Sequence, residues 1–212
     1  WLGDGGGAYP MESGILALCG TALQTLSDLG AHVEDLAPPF EAEQLWDSWT
    51  TLRSWSIAGD SAALYHDQDN RQALKPEMIW ELERGLSLSA MQVHAANVIR
   101  SDWFRRAAEL FSQFDALILP SAQAWPFPSE WVFPKAINGA AMDSYHRWME
   151  VVVPVSLIGV PALNLPVGFG DNGLPMGVQL FAPRGADRVL LQMGQAYHHV
   201  TTWPERFPPR QP

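Results

Sequence analysis

The spacing of hydrophobic positions changes along the chain, and each change of period marks an element. Ile15, Leu18, Cys19, Ala22, Leu23, Leu26 and Leu29 recur at three- and four-residue steps, the signature of an amphipathic helix. Pro10 stands at its start, Glu12 in its first turn and Gly30 at its end. A strand end at Trp1-Leu2 precedes this helix and a short strand over Ala31–Leu36 follows it, so the spacing predicts a β-α-β unit with a right-handed crossover between parallel strands. Phe40 to Tyr65 reads as helix through Leu45, Trp46, Trp49, Leu52 and Ile57, and a shorter helix runs from Pro76 to Arg84. Ser89 is placed to cap a longer helix ending at Phe111, with Met91, Ala95, Val98, Phe104, Ala108 and Phe111 facing inward.

The second half is built around Val153–Ala182. Ala116–Leu119 is a short apolar strand, followed by an irregular Pro- and Trp-rich segment from Ser121 to Gly139. Asp143 or Ser144 caps a helix reaching about Ser156, and Gly159 and Pro161 punctuate the turn after it. Ala162–Val167 has the apolar run of a strand buried on both faces, Asp171-Asn172-Gly173 is a turn sequence, and Met176–Phe181 returns as the partner strand. The last helix covers Ala186–His199 with Val189, Leu190, Met193, Ala196 and Tyr197 inward, and Phe207–Pro212 is a frayed tail. A hairpin of this kind is marginal alone in water, so the other elements must cover it. The pattern gives an α/β fold, a mixed β-sheet covered by helices, with residues 1–212 as one unit.

Composition narrows the function classes. Hydrophobic residues make up 47% of the chain, a globular value. The formal net charge of −10 argues against nucleic acid or an anionic membrane as partner. A lone cysteine, Cys19, on an apolar helix face suits a reducing, cytoplasmic setting and an inert core position. No apolar run is long enough to span a bilayer. The ten tryptophans and the opening on Trp1 fit a piece of something larger whose aromatic surface is covered elsewhere, and self-association is the expected behaviour of such a piece.

Three segments carry a resemblance: GVPALNLPVGF followed by NGLPMGVQL and APRGAD, then upstream FDALILPSAQAWPF and MDSYHRWMEVV. In this order and spacing they resemble the C-terminal half of the amidase signature enzymes. The resemblance implies hydrolysis of a carboxylic amide by a Ser–cis-Ser–Lys triad without a cofactor, the triad lying in the N-terminal half of such enzymes. No Gly-Ser-Ser run occurs here, and the only lysines, Lys75 and Lys135, lie outside any Gly/Ser-rich context. The expectation is a C-terminal part with no catalytic residue of its own, inactive alone, whose partners are the missing N-terminal half and a small amide substrate. Glutamine-dependent relatives carry an acid just before the equivalent of Val153-Pro154. Glu150 is the sole acid near that point, which favours a less polar amide.

Candidate sites divide unevenly. Trp125, Phe127, Trp131 and Phe133 with Tyr145, Trp148 and Met149 are expected to line an apolar substrate cleft, against the plain reading that they only cover the sheet end. Gly3-Asp4-Gly5-Gly6-Gly7-Ala8 matches G-x-G-x-x-A, but Pro10 separates the glycines from the helix and Glu34 falls late for a ribose-binding acid, so a plain loop is the better reading. Ser121, Ser144 and Ser156 lie outside G-x-S-x-G, with Ser144 read as a cap and Ser156 as bonding back to its helix. His94 and His146 are isolated, and His198 and His199 are read as acting on the last carbonyls of their helix, so no metal site is expected. A non-catalytic binding or assembly module on the amidase scaffold is the alternative to an enzyme part, with a dinucleotide-binding enzyme further behind.

Overall fold

The computed structural model describes residues 1–206, so the tail expected at Phe207–Pro212 lies outside the described residues. The chain falls into two compact units, Phe40–Ala107 and the remainder. The helical unit contains α2 (Ala42–His66), α3 (Gln68–Ala73), α4 (Pro76–Ser87) and most of α5 (Ala90–Leu110). The remaining unit holds α1 (Ile15–Asp28), β1 (Leu117–Pro120), β2 (Ala136–Ile137), β3 (Ala140–Ala141), a 3-10 helix (Arg147–Val152), α6 (Val153–Ile158), β4 (Ala162–Phe169), β5 (Pro175–Phe181), α7 (Asp187–Thr201) and α8 (Trp203–Arg206).

β1, β5 and β4 form an antiparallel sheet in that order, with Leu117 opposite Phe181 and Leu163 opposite Leu180. A parallel edge adjoins it. The Trp1 amine donates to the Glu34 carbonyl at 2.6 Å, and the Leu36 amide donates back to the Trp1 carbonyl at 2.8 Å, the two-bond pattern of a parallel ladder around Asp35. The Leu2 amide donates to the Ile118 carbonyl at 3.0 Å, joining this edge to β1. The sheet is therefore mixed, although its parallel part is held by a few bonds.

Burial on both faces belongs to β5, where Val178, Gln179, Leu180 and Phe181 are all buried between two neighbouring strands. The expectation had placed it in β4, which instead alternates: Leu165 and Val167 are buried, while Ala162, Asn164 and Pro166 are exposed. β4 is the edge strand, and α1 and α7 cover a single face of it. Gly194 of α7 comes so close to that face that a Cβ there would sit 2.6 Å from Leu163 Cδ2.

Two boundaries, one cap and one buried stripe differ from the expected ones. α1 begins at Ile15, because Gly14 at φ 88° breaks the chain direction after Pro10 and frees Glu12 for another partner. The helix expected to run to Ser156 is split: Met149 has non-helical dihedrals, and Pro154, lacking an amide proton, starts α6 instead of continuing the turn before it. Ser144 does not cap; its hydroxyl donates to Asp143. The buried stripe of α5 is Ala96, Trp103, Ala107 and Leu110, while Met91, Val98 and Phe104 are exposed. Phe40 packs edge-on against Trp103, and the Ser48 hydroxyl donates to the Ala96 carbonyl, which fixes that rotation of the helix.

Other local expectations agree. Ser89 Oγ accepts the Gln92 amide while Gln92 Oε1 accepts the Ser89 amide, a reciprocal cap. Ser156 Oγ donates back to the Val152 carbonyl. α7 buries Leu190 and Tyr197, but Val189 is exposed. His198 and His199, expected at the last carbonyls of α7, instead meet side chains: His198 pairs with Glu205 at 3.1 Å and His199 meets Gln195 at 3.0 Å.

In the helical unit α2 and α4 cross at Gly85, where a Cβ would lie 2.1 Å from the Ser54 carbonyl oxygen. Glu81, buried beside this crossing, takes Arg53 Nε at 2.6 Å. Gly85→Ala is expected to destabilise the unit by about 1–3 kcal/mol through forced separation of the helices. Gly59→Ala, with no atom within 4 Å of its Cβ, should instead stabilise α2 by roughly 0.5–1 kcal/mol. Urea melts followed at 222 nm check the opposite signs.

Candidate functional site

At the end of β1 the chain leaves the sheet as Ser121-Ala122-Gln123-Ala124-Trp125, and this stretch is fastened at nearly every residue. The Ser121 amide donates to the Gly177 carbonyl at 3.0 Å. Gln123 is fully buried; its side-chain amide donates to the Pro10 carbonyl at 3.2 Å, and its Oε1 accepts the Val151 amide at 3.0 Å. The Glu12 amide donates to the Gln123 carbonyl, and Glu12 Oε2 accepts the Trp125 amide at 2.7 Å. The Trp125 indole N–H donates to the Ser13 carbonyl at 3.1 Å. Glu12 thus clamps the loop carrying Trp125 instead of serving the first turn of α1.

These fasteners border a cavity of about 360 Å³ walled by Trp125, Phe127, Trp148, Met176 and Pro175, with Ser121 as its hydroxyl-bearing side chain. Phe127 and Trp148 meet edge to face with ring centroids 5.2 Å apart. Ala122, Ala124, Pro126 and Gly177 complete the lining, and Gly170 packs on the Trp125 ring from outside it. A Cβ on Gly170 would stand 2.5 Å from the Trp125 ring, and one on Gly177 2.8 Å from Ser121 Oγ.

Of the residues expected to line a cleft, Trp125, Phe127 and Trp148 do so. Trp131 stacks on Phe127 at 6.5 Å and is largely exposed, Tyr145 packs edge-on against Phe133 at 6.0 Å, and Met149 is the half-buried kink residue of the 3-10 helix. Ser121, Met176 and Pro175 were missing from the expected wall. They come from strand ends, and only the β1–β5 register brings them to the aromatic loop.

The segment 121–139 is not irregular throughout. β2 and β3 form a hairpin turning at Asn138-Gly139, both with positive φ, and Ile137 packs with Ala124 and Met142 into a small core against which Phe133 and Trp148 rest. The Asn-Gly pair was the sequence signal for this hairpin.

The polar groups nearby are committed elsewhere. Glu150 is buried and pairs with Arg147 Nη1 at 3.2 Å. Burial pushes the Tyr9 hydroxyl above its ordinary range, and Glu150 adds to the effect. Arg147 and Ser144 hold the Asp143 carboxyl below its usual range although partial burial works the other way. The glycine loop satisfies itself: Asp4 accepts the Gly7 amide through its side chain and the Tyr9 amide through its carbonyl, and Ala8 donates to Gly5. α1 starts only at Ile15, so no helix terminus faces the glycines as a dinucleotide site requires.

A family model described as Amidase matches residues 6–191. The chain belongs to the amidase family. It is 24% identical to an acylamidase of Rhodococcus erythropolis over 92% of this chain and 40% of that protein. It is 28% identical to a glutamyl-tRNA(Gln) amidotransferase subunit of Chloroflexus aurantiacus over 93% of this chain and 43% of that protein. Among solved structures, a bacterial aryl acylamidase of the amidase signature family superposes with a TM-score of 0.82 at 24% identity, covering 94% of this chain and 42% of that one. The chain thus spans about two fifths of the length of these relatives, and its α/β fold corresponds to part of theirs. Among the described residues no helix is long and apolar enough to cross a membrane.

Two outcomes test the geometry of the site. Gln123→Leu leaves the Val151 amide and the Pro10 carbonyl without this partner and should cost about 1–3 kcal/mol, with faster hydrogen exchange at Val151. Cys19, fully buried with its thiol pushed up to about 12 by burial, should resist iodoacetamide at pH 8 in the native chain and react once the chain is unfolded in urea.

Proposed function

We propose that this chain is the substrate-wall part of an amide hydrolase whose substrate carries a flat apolar group, and that the attacking serine and its proton-moving partners lie on further polypeptide. The observation that carries this reading is the cavity at the Trp125 loop, walled by three indole or phenyl rings, Met176 and Pro175, with one hydroxyl from Ser121. In the working enzyme one serine attacks the amide carbonyl, a lysine and a second serine pass the proton to the departing amine, and backbone amides hold the oxyanion; water then releases the acid. Lys135 stands over the Phe133 ring, and Lys75 precedes the first turn of α4, settings that suit neither for that proton transfer.

The aryl acylamidase and the acylamidase support an apolar amide as substrate. The amidotransferase relative supports a glutamine donor instead, but Glu150, the acid nearest Val153-Pro154, is buried on Arg147 and does not line the cavity. The exposed face of β4 supports a covering partner, which a non-catalytic assembly module would also use.

The test pairs this chain with an N-terminal amidase polypeptide carrying a Gly-Ser-Ser segment and its lysine. The chain alone should leave anilides intact, and the pair should hydrolyse them. Trp148→Ala in the pair should raise KM for an anilide by roughly tenfold with kcat within about twofold, the pattern of lost uniform binding. Hydrolysis by the chain alone that a serine reagent abolishes would overturn the division of labour, and an inert pair would favour the assembly module.

A further inference from the structure

The side chains that wall the aromatic cavity leave one polar group open to a ligand. The Trp125 indole N–H is committed to the Ser13 carbonyl at 3.1 Å. The Trp148 indole N–H is buried within the wall and has no partner among the described residues, so it is not presented to the cavity. Met176 offers only a thioether, a weak acceptor. The Ser121 hydroxyl remains. It belongs to the lining, and among the described residues it makes no hydrogen bond. Its place is tightly set. The buried Gln179 side-chain amide donates to the Pro120 carbonyl at 3.2 Å, and the Ser121 amide donates to the Gly177 carbonyl at 3.0 Å. The peptide group entering Ser121 is thus tied to β5 at both its oxygen and its nitrogen. A Cβ on residue 177 would stand 2.8 Å from Ser121 Oγ, so the hydroxyl has its room because that residue is glycine.

We infer that Ser121 is the specificity-determining residue of this cavity, and that the flat group it receives carries a ring hydroxyl paired with Ser121 Oγ. The substrate class is then a hydroxyaryl amide. In water the serine hydroxyl is solvated. A plain hydrocarbon ring filling the cavity strips that water and returns no hydrogen bond. A ring hydroxyl both donates and accepts, as the serine does, so the pair is satisfied whichever way the two protons point. A site that pairs with a ligand hydroxyl rejects the analogue lacking it far more strongly than an apolar pocket rejects a missing methylene. At about 360 Å³ the space lies at the small end for ligand sites and suits one ring with a small substituent. The nearby carboxylates do not compete for the ring hydroxyl, since Glu12 accepts the Trp125 amide and Glu150 pairs with Arg147. The inference deepens the substrate-wall reading and rests on it.

The test titrates the pair of polypeptides described above with benzamides carrying either a hydroxyl or a methyl at the ortho, meta or para position. Binding is read from the indole N–H signals of Trp125 and Trp148 by NMR, so no turnover is needed. At the ring position that binds best, the hydroxyl compound should bind at least about tenfold more tightly than its methyl counterpart. Ser121→Ala should erase that preference, weakening the hydroxyl compound by about tenfold and leaving the methyl compound within about twofold. This substitution keeps the backbone bond to Gly177, so it removes the hydroxyl alone. Equal affinity of the two compounds for the unaltered chain overturns the role of Ser121 and leaves the cavity standing as a binding site, as does a preference that survives Ser121→Ala. No response of either indole signal to any of the compounds overturns the substrate wall itself, and this inference with it.

Discussion

The buried amide of Gln123 is the constraint on which the site depends. It is fully buried, so both ends of the side chain must find partners, and both find backbone groups. Those partners, Pro10 and Val151, come from segments far apart in sequence. One side chain therefore fixes the distance between the loop before α1, the exit from β1 and the 3-10 helix. The Glu12 clamp on Trp125 adds a charged acceptor to the same junction, and hydrogen bonds to charged groups are the stronger kind. The rings of Trp125 and Trp148 stand on the two sides of this junction, which is why a loop rich in proline holds a defined wall.

The β4–β5 hairpin was legible because turn residues and apolar runs alternate at short range. Asp171-Asn172-Gly173 and the runs on either side need no distant information. Which strand is central was not legible. β4 has the more continuous apolar run, yet β5 is enclosed, because β1 comes from some sixty residues away to pair with it. The same limit applies to α5. A helix with small and large apolar residues on several faces offers more than one stripe, and the buried Ser48–Ala96 bond decides between them. Pro154 was visible as a residue, but its effect on the preceding helix depends on the valine run and the kink at Met149.

At the site, the aromatic residues were found because they cluster in sequence, and half of them do line the cavity. Of the other clustered aromatics, Trp131 stacks on the wall residue Phe127, while Phe133 and Tyr145 pack on each other outside the cavity. Ser121, Pro175 and Met176 carry no chemical signal of their own and join the wall through strand register. Family resemblance supplied the reaction class, while the residues here supply only the shape and polarity of one side of the reaction space.

The close-packed glycines at the aromatic cavity have a consequence for how its selectivity can change. Gly177 lines the cavity beside Ser121 and Gly170 packs on the Trp125 ring, each without room for a side chain. A side chain at Gly177 would crowd Ser121, and one at Gly170 would displace the Trp125 ring. Divergence toward a new substrate is therefore left to the side chains that wall the cavity, Trp125, Phe127, Trp148, Pro175, Met176 and Ser121, while the glycines keep the backbone close behind them.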